Sequence, residues 1–465
     1  MKHGILSAKK LSLLYCVYAF VAMLIVVTRL PPFMGADEPN HLRRANLLTE
    51  GELTGSRVRV GGALTSGGVE EENLNRVEAL YAPMKFHPEV KLRSIDSAKG
   101  GAIPWGQDRI EQSFENTAIY PPAFYLPSAV ALGIGKAQGS SITKSLTLAR
   151  VANAMVCLIV GYFAVRSAKN AAKFLFAILL LPMSLVLSTS VSQDGLLIAV
   201  ASLACACLAR GLQKNRSITI MELSVSVVCL ALVGMAKPPY VLFSFFLLVV
   251  HTEKPSLKWA AAAVSTVSAL AWHGLMAANV QTPMQRPGLR LDSSTQLALL
   301  LHRPWQFGTV LYQTLRHQGS ELFAQFVGEL GWLDTPLPKL YYLAALLILV
   351  SATVLTYSAT SKVMERRSIS VLIIMGATVL AIFGALYLAY TPVGSPQVDG
   401  VQGRYFLPVA AFLPLVLVGN RKAVVGPIRR LGGWVLILFP LLTLPVLWRT
   451  LTFPVLWRTL TLRYY

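Results

Sequence analysis

Charge is scarce in this 465-residue chain: only 14% of its residues are Asp, Glu, Lys or Arg. A soluble domain of ordinary composition carries about 25%, so a water-facing globule of this size is excluded. Cysteine is rare too. Its five copies (Cys16, Cys157, Cys205, Cys207, Cys229) all fall inside apolar runs. They have neither a metal-ligand spacing in polar surroundings nor a disulfide framework, and are expected to pack as small hydrophobes. Acidic residues number 22 against 42 basic ones. The resulting charge of +20 does not indicate nucleic-acid binding, because the basic residues are spread in short clusters between apolar segments. That scatter is the positive-inside pattern of membrane proteins.

What is abundant is hydrocarbon. The runs Leu11–Leu30, Leu148–Val165, Phe174–Thr189 and Val371–Tyr390 each approach the length of about 17–25 residues that crosses a bilayer. The basic N-terminus (Lys2, Lys9, Lys10) precedes a run too long for a signal-peptide core, and no A-x-A site follows, so an uncleaved first span is expected. The expectation is an all-α polytopic membrane protein with about 11 transmembrane helices and a large extracytoplasmic first loop.

Placing the basic clusters in the cytoplasm threads the whole chain consistently. Residues 1–30 hold the N-terminus and first span, and 31–147 form an external loop. Spans two to seven occupy 148–277, a second external loop covers 278–339, and spans eight to eleven fill 340–448. "RSAKNAAK", "RGLQKNR", "HTEKPSLK", "SKVMERRS" and "NRKAVVGPIRR" then all lie inside. Counting Tyr120–Lys136 as a span would invert every later loop, so it is expected to be an interfacial or re-entrant helix. The first loop holds 13 of the 22 acidic residues and a Gly-rich stretch, "GGALTSGGVEEEN", expected to be mobile. In the second loop, Leu297, Leu300 and Leu301 recur at helical spacing, which predicts amphipathic helices on the bilayer surface. "PVLWRTLT" occurs at 445–452 and again at 454–461. A nine-residue shift turns a helix by about 180°, so the 449–465 tail is expected to be poorly ordered and functionally silent.

Ionisable residues concentrate where "PPFMGADEPNHLRRANLLTEGEL" follows the first span. Asp37 can be read as the N-cap of a helix running to Glu50 and stopped by Gly51. It can also be read as a rigidly held functional carboxylate, with His41 one turn on and Arg44 two turns on. Asp194 starts span four, either as a cap or as a site residue. Lys237 in "MAKPPY" either snorkels or binds an anion. Arg404 in "GVQGRYFLP" either grips lipid headgroups or chelates phosphate, and Asp334 precedes span eight. Asp37, Asp194, Lys237, Asp334 and Arg404 are all expected at the external ends of different spans. Carboxylates beside cations at the hydrocarbon edge suit a substrate with a phosphate and a lipid tail.

Six ordered motifs ("ADEPNHLRRANLLTEGEL", "YPPAFYLPSA", "SVSQDG", "KPPY", "GWLDTPLP" and "QGRYFLP") resemble the bacterial membrane-protein family of domain of unknown function 2142 over about residues 35–420. That resemblance implies a GT-C-type glycosyltransferase of the bacterial inner membrane, with its active site outside. It would take a sugar from a polyprenyl-phosphate-linked donor to an envelope glycan or glycolipid acceptor, with inversion. Asp37 would be the general base. Glu38, His41, Arg44, Tyr120, Asp194, Lys237, Asp334, Arg404 and Tyr405 would contact substrates. A divalent metal is a further option, with Glu38, His41 and Asp194 as ligands, although their spacing is not diagnostic. The rival expectations are a translocase for lipid-linked sugars and a non-enzymatic envelope assembly protein.

Overall fold

The structure is a computed structural model describing residues 7–212, 216–286, 288–359, 366–417, 422–423 and 427–452. Its first helix, α1 (Ala8–Arg29), is capped by Ser7 and leads through a short loop into α2 (Glu38–Thr49). A polar subdomain follows: strands β1 (Ser56–Val60) and β2 (Ala63–Glu71), helices α3 (Glu72–Tyr81) and α4 (Ser94–Ala102), and strand β3 (Arg109–Ser113). Then come α5 (Leu126–Ala137), α6 (Ile142–Ser167), α7 (Ala172–Leu179), α8 (Pro182–Thr189), α9 (Gln193–Gly211), α10 (Ile220–Ala236) and α11 (Pro255–Asn279). The second polar segment carries α12 (Ser293–His302), α13 (Trp305–Val327) and the two-residue strands β4 (Glu329–Leu330) and β5 (Thr335–Pro336). Helices α14 (Lys339–Thr356), α15 (Arg366–Ala389), α16 (Leu407–Ala410), α17 (Pro414–Leu417) and α18 (Pro427–Thr452) complete the chain.

Among the described residues, seven helices, α1, α6, α9, α11, α14, α15 and most of α18, are long and apolar enough to cross a bilayer, and α7 with α8 forms a bent eighth candidate. Their outward faces are themselves hydrocarbon. Leu13, Val17, Phe20 and Leu24 form an exposed stripe along α1 at three- and four-residue spacing, an arrangement that only a lipid solvent stabilises. The centre of the bundle is α7–α8 with α9: every residue of α7 and α8 is buried.

The fold departs from the sequence expectations at several places. The protein is mostly helical rather than all-α, since β1, β2 and β3 form an antiparallel sheet in that order. The Gly-rich stretch is therefore ordered. Gly61 and Gly62, at φ 58° and 85°, make the two-residue turn pairing Val60 with Ala63, as hairpin twist requires. A Cβ on Gly67 would lie 1.9 Å from the Gln112 carbonyl oxygen, so the strand fits only without a side chain there. The sheet docks on the end of α11, where Ser66 Oγ donates to the Val280 carbonyl at 3.0 Å.

The run Phe174–Thr189 is not one span: it turns by 75° between α7 and α8. Pro182 cannot donate an N–H and pushes Leu181 into an extended conformation (ψ 142°). The expected sixth span is an 11-residue 3-10 segment, Pro238–Leu248, behind two prolines. The expected tenth span, Gly403–Leu417, is broken into short turns around Pro408 and Pro414. Helix α5 has only 12 residues, about 18 Å of length, in line with a segment too short to cross hydrocarbon.

The first copy of the duplicated tail segment is ordered, contrary to expectation. It lies in α18, with Leu447 and Leu451 fully buried and Trp448 covered by the Arg29 guanidinium at 4.0 Å. The second copy, 454–461, lies outside the described residues.

Candidate functional site

The loop between α1 and α2 is forced into shape before it presents Asp37. Gly35 sits so close to Ser190 that a Cβ would come within 2.6 Å of its hydroxyl. Asp37 itself adopts φ 57°, a left-handed conformation uncommon outside Gly, Asn and Asp. It occupies the N-cap position of α2, but its side chain caps nothing. The carboxylate instead turns to Arg404, with which it forms a direct ion pair. The reading of Asp37 as a side-chain cap is thus corrected. The same holds for Asp194: Ser192 caps α9, accepting from the Asp194 N–H at 3.1 Å, which leaves the Asp194 carboxylate free for other partners.

Those partners are the two expected cations. Arg404 Nη1 lies 3.5 Å from Asp194 Oδ2, and Lys237 Nζ lies 3.2 Å from Asp194 Oδ1. The cluster therefore runs Asp37, Arg404, Asp194, Lys237, with two charges of each sign. Four segments far apart in sequence supply it. Arg404 is nearly sealed, whereas the Asp37 side chain retains 26% exposure and is the open end.

The loop bearing Arg404 is pinned from behind. The Gly403 N–H donates to Gln325 Oε1 at 2.9 Å, and a Cβ on Gly403 would meet the Leu322 carbonyl at 1.9 Å. Arg404 Nε donates to Gln402 Oε1 at 2.7 Å. Lys237 sits over the Tyr405 ring at 4.0 Å, and Tyr240 donates its hydroxyl to the Tyr405 carbonyl at 2.8 Å. Tyr405 thus belongs to the site as a wall.

His41 lies behind the carboxylates. Its Nδ1 is 2.6 Å from the Tyr125 hydroxyl, its Nε2 is 3.4 Å from Ser192 Oγ, and Tyr120 stacks on its ring. Burial pushes the imidazole down to about 4, against the opposing pull of Asp194 and Asp37. His41 is therefore neutral near pH 7. Burial alone would raise Asp37, but the Arg404 guanidinium outweighs it and holds the carboxyl below its ordinary range.

Two expected site residues turn out to hold the scaffold. Glu38 is fully buried, grips Arg150 through both its oxygens at 2.8 and 2.5 Å, and accepts from the Val191 N–H at 3.1 Å. Arg44, also fully buried, donates to the carbonyls of Tyr120 and Leu53. Sequence reasoning missed Arg150 altogether, although a guanidinium inside an apolar helix requires a partner. It missed Arg43 as well, which is buried against Glu70 at 2.9 Å and Glu78 at 2.5 Å.

Asp334 holds Thr335 Oγ1 at 2.8 Å in the turn between β4 and β5. That hairpin supports the Asp37 loop, because Trp332 Nε1 donates to the Phe33 carbonyl at 3.0 Å. The expected metal ligands Glu38, His41 and Asp194 do not form a cation site: Arg150 takes both Glu38 oxygens, and Arg404 and Lys237 already balance the aspartates. Among the described residues no group of three or more His, Cys, Asp or Glu could hold a metal ion.

This arrangement can be set against known proteins. A family model described as "Predicted membrane protein (DUF2142)" matches residues 19–413. The chain belongs to the DUF2142 family. The match reaches from α1 to the loop after α16, so all four members of the ion cluster lie inside it. No curated protein matches the chain, and no solved structure does.

Proposed function

We propose that this DUF2142 protein is a membrane glycosyltransferase that moves a sugar from a polyprenyl-phosphate donor to an envelope glycan or glycolipid on the extracytoplasmic face. The observation that carries this reading is the Asp37–Arg404 pair: a half-open carboxylate held directly against a buried guanidinium at the end of an apolar bundle. An apolar groove of about 390 Å³, lined by Leu315, Leu322, Phe326, Val379, Phe383 and Phe406, includes a residue two positions along the chain from Arg404. Such a groove suits a lipid tail, and the guanidinium of Arg404 suits a phosphate.

The resting ion pair makes Asp37 a weak base. A donor phosphate competes for Arg404, because a guanidinium pairs with phosphate in the same bidentate way as with carboxylate. Once Arg404 turns to the phosphate, Asp37 loses the cation that held its proton affinity down. It then accepts the proton of the acceptor hydroxyl. The acceptor oxygen bonds to the anomeric carbon on the face opposite the phosphate, the carbon–oxygen bond to the phosphate breaks, and polyprenyl phosphate leaves as an anion stabilised by Arg404 and Lys237. His41, neutral and fixed by Tyr125, keeps a second positive charge away from Asp37.

The test is purified protein in liposomes with a lipid-linked sugar fraction and an envelope glycan fraction. Release of polyprenyl phosphate coupled to glycan labelling is expected. Unchanged donor would contradict the reading.

One observation favours the translocase alternative. The α7–α8 pair is a discontinuous helix at the bundle centre, and broken helices mark transporter binding sites. A translocase would move intact lipid-linked sugar between leaflets without cleaving it, which the same liposomes distinguish.

A further inference from the structure

A second cavity, of about 520 Å³, lies away from the ion cluster, between the β2 end, the segment before β3 and the turn joining α5 to α6. It is within the volume range of about 300–1,000 Å³ typical of small-ligand sites. Its wall combines three features. Trp105 supplies a partly exposed indole, fixed by donation from Nε1 to Ser145 Oγ at 3.0 Å. Lys136 and Arg109 supply donors, and Glu71 supplies acceptors. Gly139, with nothing within 4 Å of where a Cβ would stand, leaves room for a ligand against the backbone.

The charges decide the ligand class. Lys136 Nζ is 2.5 Å from Glu71 and 3.3 Å from Glu50, and Arg109 pairs with the same two carboxylates. Two cations against two carboxylates give no net field to hold a phosphate. Paired ionic donors and acceptors beside an aromatic face suit a neutral polyhydroxyl ring, whose C–H face packs on indole while its hydroxyls bond at the edge. Lys136 Nζ lies over one face of the Trp105 ring, 4.5 Å from its centroid, so the cation and the indole stand together in the cavity wall.

The position is informative as well. Helices α2 and α5 run side by side: His41 meets Tyr125 near their starts, and Thr49 meets Lys136 near their ends at 3.1 Å. From Asp37 to Thr49 the helix advances about 18 Å, a distance of several saccharide units. We propose that the Trp105–Lys136–Arg109–Glu71 cavity is a saccharide subsite that holds a neutral sugar residue of a polymeric acceptor while another residue of the chain reaches Asp37. Its place in the reaction rests on the proposed transferase reading; the binding itself does not.

Saturation-transfer NMR on the full protein in nanodiscs tests it, with maltotriose, cellotriose, mannotriose and chitotriose as probes and inorganic phosphate as the charged comparison. At least one trisaccharide should bind. Affinity should fall about tenfold or more in Trp105→Ala and in Ser140→Trp, which fills the cavity from its half-buried rim. Three results would overturn the proposal: no trisaccharide binds, phosphate alone binds, or binding survives both cavity variants. Trisaccharide binding with no transfer activity leaves the subsite in place and contradicts the transferase reading alone.

Discussion

The Asp37 carboxylate and the Arg404 guanidinium meet directly across 367 residues of sequence, and Arg404 reaches past Asp37 to Asp194. One planar cation with several donors therefore holds two acidic side chains from different parts of the bundle. Everything proposed for the site depends on that shared guanidinium.

Arg404→Lys tests the sharing. A lysine ammonium is a single compact charge and does not reproduce the fork that meets two carboxylates. Transfer should drop by about tenfold to a hundredfold, with weaker donor binding the larger part, as steady-state kinetics over donor concentration would show. Wild-type kinetics in this variant would remove Arg404 from the account.

Glu38→Gln should behave quite differently from any change at Asp37, although the two residues are neighbours. It leaves the Arg150 guanidinium buried without its counter-charge, at a cost of about 3–5 kcal/mol. Thermal unfolding in detergent should show a clear loss of stability, partly restored by Arg150→Met in the double variant.

The site also predicts a pH dependence. His41 is held down to about 4 against an ordinary value of 6.5. Between those values the unfolded chain binds a proton that the folded protein refuses, so stability falls as pH drops. The contribution is fully present above about pH 6.5 and is lost progressively toward pH 4, up to about 3 kcal/mol in all. Unfolding midpoints measured across that range should slope downward with acid, and His41→Gln should flatten the slope.

Gly67→Ala probes the subdomain that carries α2. With a Cβ 1.9 Å from the Gln112 oxygen, β2 and β3 must separate, costing about 1–3 kcal/mol. Limited proteolysis should then cut within 56–71 faster than in wild type.

Much of the site was legible because its members share a sequence context: Asp37, Asp194, Lys237 and Arg404 each stand at the edge of an apolar segment on the same expected side. Hydropathy reports that context directly. It does not report direction. Nothing local to Asp37 distinguishes a carboxylate that caps its own helix from one turned toward Arg404, and nothing local separates Glu38 from Asp37. Arg150 was the available clue to Glu38, since its charge sits within an apolar run. The bend at Pro182 had its signal in the proline, but the apolar residues on either side gave continuous hydropathy. The β-sheet was hidden by its glycines, which read as flexibility in sequence and serve as close-packing positions in the fold.

Asp37→Asn tests the central claim most directly. Asparagine tolerates the left-handed backbone at this position and keeps the side-chain shape, so the protein should fold and insert normally. Transfer from lipid-linked sugar, measured at matched amounts of folded protein, should fall by about a hundredfold to ten-thousandfold. Wild-type transfer by a well-folded Asp37→Asn protein would contradict the assignment of Asp37 as the base.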